Sequence, residues 1–360
     1  MELFSVGGMN MNRSSYYCNQ TEMEQICLSA PDTDLAHSYF TANVWADENS
    51  VVLARMEDRK SSTASRLYLV DIHTGDEKFL TDRAFWGAYI VQDGFVYHLT
   101  EHDIYRTGIS FDKTELIWSG GLRYRLDGPP SLTVDGRYLS VYWEMENKIT
   151  SINRLDLQTG KMEEFCRIGF PYPFEKANHC MLNPHNPNQM FFSHEGTCQY
   201  ITNRLWIADF ESHTARNLFK QKLDAEGNNG EPCGHEMWTP DGKGIYFIKY
   251  ISATVLPKGV WYYDMESGKG ESVASGYEYW HVAASPCGDA AAADTQISGD
   301  TSEIAYIHPA SKTEKIVALA KTDWLHPCHP HPQFSLDGKY LCYTFLGENQ
   351  KTQVGIVKVK

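Results

Sequence analysis

Met237–Tyr250 reads MWTPDGKGIYFIKY: a short apolar stretch, an Asp-Gly turn, then a strand of alternating large side chains. Glycine takes a positive φ at no steric cost, so Asp-Gly between two such strands is a strong hairpin signal. The pattern recurs. NVWADENSVVLARM (43–56), YIVQDGFVYHLTE (89–101), PSLTVDGRYLSVYW (130–143), MLNPHNPNQMFFSHE (181–195), AASPCGDAAAADT (283–295) and QFSLDGKYLCYTF (333–345) repeat it. Their turns fall near Asp47, Asp93, Asp135, Asn186, Asp241, Cys287 and Asp337, 42 to 55 residues apart. That interval is the length of a four-stranded propeller blade.

A second hairpin follows most of the first ones, as in RLYLVDIHTGDEKFL (66–80), INRLDLQTGKMEEF (152–165), RLWIADFESHTARNLF (204–219) and GVWYYDMESGKGESV (259–273). Two hairpins make four antiparallel strands, and no long amphipathic helix competes with them. The sequence therefore predicts an all-β, seven-bladed β-propeller, with residues 21–360 as one domain. The chain ends in TQVGIVKVK (352–360), a third strand with no fourth after it. Near the start, TEMEQICLSAPDTD (21–34) resembles the outer strand of other repeats. Glu22–Leu28 is thus expected to complete the last blade and lock the ring. Residues 1–20 are expected to form a leader or an arm.

The bulk properties narrow the function. A net charge of −14 argues against nucleic acid, which selects a basic footprint. Nine scattered cysteines give no disulfide framework and suit a reducing compartment. No signal peptide is read at the start, and no apolar run reaches the ~18 residues that cross a bilayer. The expectation is a soluble cytoplasmic protein with no nucleic-acid or membrane partner.

The chemistry is expected at a ring of histidines. His179, His235, His281 and His331 each stand four residues before a turn residue, Asn183, Thr239, Ser285 or Ser335. Equal register in equivalent repeats means equal position, so the four imidazoles are expected to converge on the propeller axis. Imidazole binds metals and moves protons near neutral pH. The segment His326–Gln333, HPCHPHPQ, adds His326 and His329. On a strand, His329 and His331 would face one side. With His281 from the adjacent blade they make a three-nitrogen metal site that leaves positions open for substrate. His235 stands next along the ring as a candidate base. His179 and Arg204 are candidate substrate contacts, Arg204 through its guanidinium. Glu195 and Glu236 are read as structural or as orienting a histidine. Cys328 alternates away from the histidines and is excluded as a ligand. Arg83, Arg123, Arg125, Lys176 and Lys249 are weaker anion contacts.

Several of these segments, in their order along the chain, are similar to oligogalacturonate lyases: FFSHEG, NRLWIAD, GHEMWTPDGK, WHVAASPCGD and HPHPQFSLDGKY, with AHSYF and LYLVDIHTGDEKFLTD in the first blade. The resemblance runs from about Asp34 onward. It implies a seven-bladed propeller that holds a divalent metal, commonly manganese, at the channel mouth and cleaves short pectin fragments by β-elimination. It implies His281, His329 and His331 as ligands, His235 as base, and Arg204 holding the substrate. The family's fourth ligand is a glutamine three residues before the first His of His-Pro-His-Pro; His326 stands there in this chain. A fourth imidazole would shift preference from manganese toward later transition metals. A lyase for another uronate, and a non-catalytic propeller binding sugar or protein, remain open alternatives.

Overall fold

The computed structural model describes residues 11–61, 63–111, 113–296 and 299–360. Among them are seven antiparallel sheets, six of them with four strands in chain order. The inner strands of blades one to six are Asp34–Ala36, Tyr89–Gln92, Leu126–Asp127, Ala177–Leu182, Cys233–Trp238 and Tyr279–Ala284. Blade seven begins at Gln333–Phe334. The only helical segments among the described residues are two three-residue 3-10 turns, Gly121–Arg123 and Glu146–Lys148. The predicted seven-bladed, all-β propeller is what the chain forms.

A repeated side-chain clasp sets the hairpin register. The hydroxyls of Thr133, Thr239 and Ser335 donate to Asp135, Asp241 and Asp337 at 2.6–2.7 Å. The same oxygens accept the backbone N–H five residues on, from Tyr138, Gly244 and Tyr340. Ser285 repeats the device with Asp289 and Ala290. Gly242 and Gly338 close their turns at φ +68° and +72°, where a Cβ would be strained. Because the clasp fixes the turn residue, it also fixes the position four residues upstream, where the histidines stand.

The ring closes as expected. Thr352–Lys358 pairs with Tyr340–Leu346 on one side and Met23–Ser29 on the other, with Leu28 opposite Val354 and Gln25 opposite Val357. Asp34, at the head of the first inner strand, clamps the seam. Its carboxylate accepts from Thr352 N (2.9 Å) and Arg59 N (3.2 Å) and pairs with Lys351. Within the expected leader, Asn12–Cys18 adds a fifth, outermost strand against Met23–Ser29; residues 1–10 lie outside the described residues.

The core lies between blades. In blade six, Ala290–Ala293 are fully buried, so small side chains let sheets approach on both faces. Trp238 donates its indole N–H to Met181 O across the interface of blades four and five. All nine cysteines are unpaired, and no helix among the described residues is long and apolar enough to cross a membrane.

After the first inner strand the chain turns into the channel. The His37 ring bonds Thr344 Oγ1 and His331 O at 2.7 Å each, and Gln333 Nε2 donates to Tyr39 O at 2.9 Å. Phe40 is thereby held beside the histidine rings. The Phe40 ring lies against His281 and His331, with ring centroids 5.2 and 5.6 Å away and the planes tilted. Phe40 also lines a mainly apolar cavity of about 480 Å³ with Leu132, Met181, Trp238 and Phe334.

Candidate metal centre and its neighbours

The histidines that share a register come together, and the backbone shows how. Pairing slips between Asn178 and Met181, between Gly234 and Met237, and between Tyr279 and His281. Each slip is a bulge on an inner strand at its registered histidine. His179, His235 and His331 adopt φ of +52°, +54° and +47°. Left-handed backbone at a non-glycine residue is uncommon and costs of order 1 kcal/mol or more; it clusters at functional sites. A bulge re-aims a side chain by breaking the pairing locally and bending the strand at that residue.

The rings form an arc. Centroids of His235 and His281 are 4.1 Å apart, as are those of His281 and His331. Tyr39 follows at 4.9 Å from His331 and continues to His179 at 5.5 Å. Its hydroxyl lies 3.3 Å from His179 Nε2.

Within this arc, coordinating atoms of His281, His329 and His331 lie within 4.8 Å of one another. The two Nε2 atoms of His281 and His331 are 3.1 Å apart, close enough to share one proton or one ion. His329 Nε2 donates to Trp324 O at 3.0 Å, which leaves Nδ1 as its lone-pair nitrogen. That Nδ1 is buried without a hydrogen-bond partner. An orphaned buried nitrogen beside two neutral imidazoles is the donor set a divalent metal requires. Burial first, then the neighbouring rings, holds His281 and His331 far below the usual imidazole range, so both stay neutral.

Local structure departs from expectation at the His-Pro-His-Pro segment. It is not a strand; regular pairing begins only at Gln333. Pro330 and Pro332 offer no N–H to a ladder. The turn at His331 brings its ring near His329 instead, at 5.3 Å between centroids. His326 is exposed and stands outside the trio. Its ring stacks on His329 at 4.0 Å and leans on Trp86 at 5.3 Å. Cys328 is buried and burial pushes its thiol up to about 11.

A carboxylate that sequence reasoning missed lies behind the trio. Asp294 is fully buried; its oxygens accept from His281 N (2.7 Å), His281 Nδ1 (2.9 Å) and His331 N (3.0 Å). Burial pushes its carboxyl up to about 7, against the pull of those N–H groups. The available signal was a lone acid ending a run of four alanines in a central strand.

His235 has its Nδ1 bonded to Trp280 O, with the Tyr250 hydroxyl at 3.3 Å, which leaves Nε2 with the lone pair. Burial, then His281 and Arg204, keeps it neutral. The preceding glycine makes room for this contact: a Cβ on Gly234 would meet the Tyr250 hydroxyl at 2.0 Å and displace it. Arg204 is buried and doubly paired, through Nε to Glu236 (2.8 Å) and through Nη1 to Glu195 (3.2 Å). Glu236 also faces His179 Nδ1 at 3.5 Å. Burial alone would raise the Glu236 carboxyl, but Arg204 and His179 hold it well below the carboxylate range.

Among the weaker cations, Lys249 is excluded: it is buried, paired with Glu231 at 2.8 Å and capped by Trp261. Lys176 pairs with Asp127 and Arg125 with Glu101, while Arg83 and Arg123 are exposed.

Comparison with known proteins bears on the fold and on part of the sequence. A family model described as oligogalacturonate lyase matches residues 130–257. The oligogalacturonide lyase of Pectobacterium atrosepticum is 30% identical over 105 residues, 29% of this chain and 24% of that one. The oligogalacturonate lyase of Dickeya dadantii is 22% identical over 268 residues, 67% of this chain and 64% of the relative. The chain thus spans about a quarter and just under two thirds of these curated relatives. In fold, it matches an oligogalacturonate lyase in complex with manganese over 98% of its length (97% of that chain), with TM-score 0.83 and 16% identity. An oligogalacturonate lyase from Vibrio parahaemolyticus gives TM-score 0.81 at 16% identity, with the same coverage. In sequence over part of its length, and in fold over nearly all of it, this chain is similar to the oligogalacturonate lyases.

Proposed function

We propose that the chain is a divalent-metal-dependent lyase that cleaves short oligogalacturonides by β-elimination, with manganese the first metal to test. The observation that carries this reading is the meeting of His281, His329 and His331 beside His235, a neutral imidazole with a free lone pair. A cation held by the trio would supply positive charge beside the uronate carboxylate, where negative charge builds as the C5 proton leaves.

The chain's own residues supply the rest. His235 takes the C5 proton at Nε2, while the Trp280 carbonyl holds the ring by Nδ1–H. The electron pair of the C5–H bond becomes the C4–C5 double bond. The C4–O bond breaks, and the leaving oxygen departs with its pair and takes up a proton. No water is consumed, so the paired carboxylates of a glycosidase are not needed. Arg204 and His179 contact the substrate in this reading. Because Glu236 and Glu195 already balance Arg204, it holds the sugar through directed hydrogen bonds more than through free charge. His326 becomes a fourth donor only when its ring leaves the stack on His329.

The test is incubation with digalacturonate and trigalacturonate, with manganese and after chelation. The expected result is a conjugated-enoate absorbance that chelation abolishes. Cleavage of other uronates alone would move the substrate. Sugar binding without any metal or turnover would replace the lyase with a binding propeller.

A further inference from the structure

Asp294 occupies an unusual place in the ring. In blade seven the equivalent residue is Thr344, whose hydroxyl is taken by His37. In blade six, the bulge at His281 removes that residue's N–H from the strand ladder, and Asp294 captures it at 2.7 Å. The same carboxylate reaches the His281 ring nitrogen Nδ1 and, across the blade boundary, His331 N at 3.0 Å. His331 is the residue forced into left-handed backbone between two prolines. One buried side chain therefore sets the ring orientation and tautomer of one candidate ligand and the backbone of another.

We infer that Asp294 is a positioning residue for the metal centre, holding His281 with its Nε2 lone pair toward the ion and fixing His331 beside it. Carboxylates that accept the outer N–H of a ligating histidine raise its basicity, and their loss weakens metal affinity by about 10- to 100-fold. The inference rests on the metal reading proposed above and is independent of the substrate.

The test is Asp294→Asn, which conserves shape, with Asp294→Ser as a smaller second variant. Manganese and zinc affinities are measured by calorimetric titration of the metal-stripped full chain, alongside its metal-free melting temperature. Affinity is expected to fall about 10- to 100-fold, with the metal-free protein still folded and a changed manganese electron-spin resonance line shape in whatever binds. Undiminished affinity and an unchanged line shape in the folded variants would overturn the inference. A drop in metal-free stability with normal affinity would overturn it too, leaving Asp294 a blade clamp. Should the native chain bind metal as described but leave oligogalacturonides intact, the lyase reading fails and this one stands. If the native chain binds neither metal, both fall.

Discussion

Replacing Glu236 by Gln removes the charge that faces Arg204 while keeping the shape of the side chain. Glu236 is fully buried, and the Arg204 side chain is 5% exposed. Breaking one partner of a buried ion pair costs about 3–5 kcal/mol, because the remaining charge stays desolvated. Arg204 keeps a second carboxylate here, Glu195 at 3.2 Å, but that side chain is 33% exposed and is screened by solvent. The lower end, about 3 kcal/mol, follows. Unfolding entropy near 2.1 cal/mol/K per residue over 360 residues turns that into a melting temperature about 4 °C lower. Arg204→Met alone should cost a comparable amount. The double variant should cost clearly less than the sum, with an interaction energy of about 2 kcal/mol. Urea unfolding of the native chain, both single variants and the double variant measures this cycle. A Glu236→Gln variant within about 0.5 kcal/mol of the native chain, and additive with Arg204→Met, would refute the claim that this pair is a desolvated unit.

His329→Ala is expected to lose both metal and turnover, whereas His235→Ala keeps its metal and loses about 10²- to 10⁴-fold in turnover; metal content by mass spectrometry and rate by enoate absorbance separate the two. Stability should also depend on pH through His98. It is fully buried, with ring nitrogens on Arg83 O and Thr107 Oγ1, and burial lowers it to about 4. A histidine depressed when folded binds its proton first in the unfolded chain, so its stability contribution is intact above pH 6.5 and declines as pH falls toward 4. At about 1.4 kcal/mol per unit, roughly 3 kcal/mol is at stake. Other buried histidines add the same sign of dependence, so His98→Gln should make the unfolding free energy less steep across that window, and an unchanged slope would rule out a contribution from His98.

How far the site was legible depends on what kind of fact each part is. The histidines at 235, 281 and 331 could be read because a hydroxyl–Asp clasp repeats at Thr239, Ser285 and Ser335, and the one at 179 because the Asn183 side chain holds the equivalent turn, so that distance along the chain measures depth in the channel. Asp294 could not be read that way. Its role comes from a bulge that frees the His281 N–H and from a neighbouring blade that brings up His331, and neither leaves a mark in local spacing. Tyr39 and Phe40 carry no spacing signal; the path of His37–Phe40 across the channel depends on partners about 300 residues away.

By itself, then, the sequence determined the all-β architecture, the seven repeats, the closure by a strand near the N-terminus, and the histidine register. These follow from period, turn chemistry and chain order, which are local properties. Only the tertiary structure decided that His326 stacks outside the trio, that Arg204 is already neutralised, that Lys249 is sealed inside its blade, and that Asp294 stands behind the trio. Those depend on how seven twisted sheets close around one axis, and burial and charge pairing there are settled between residues that no spacing rule connects.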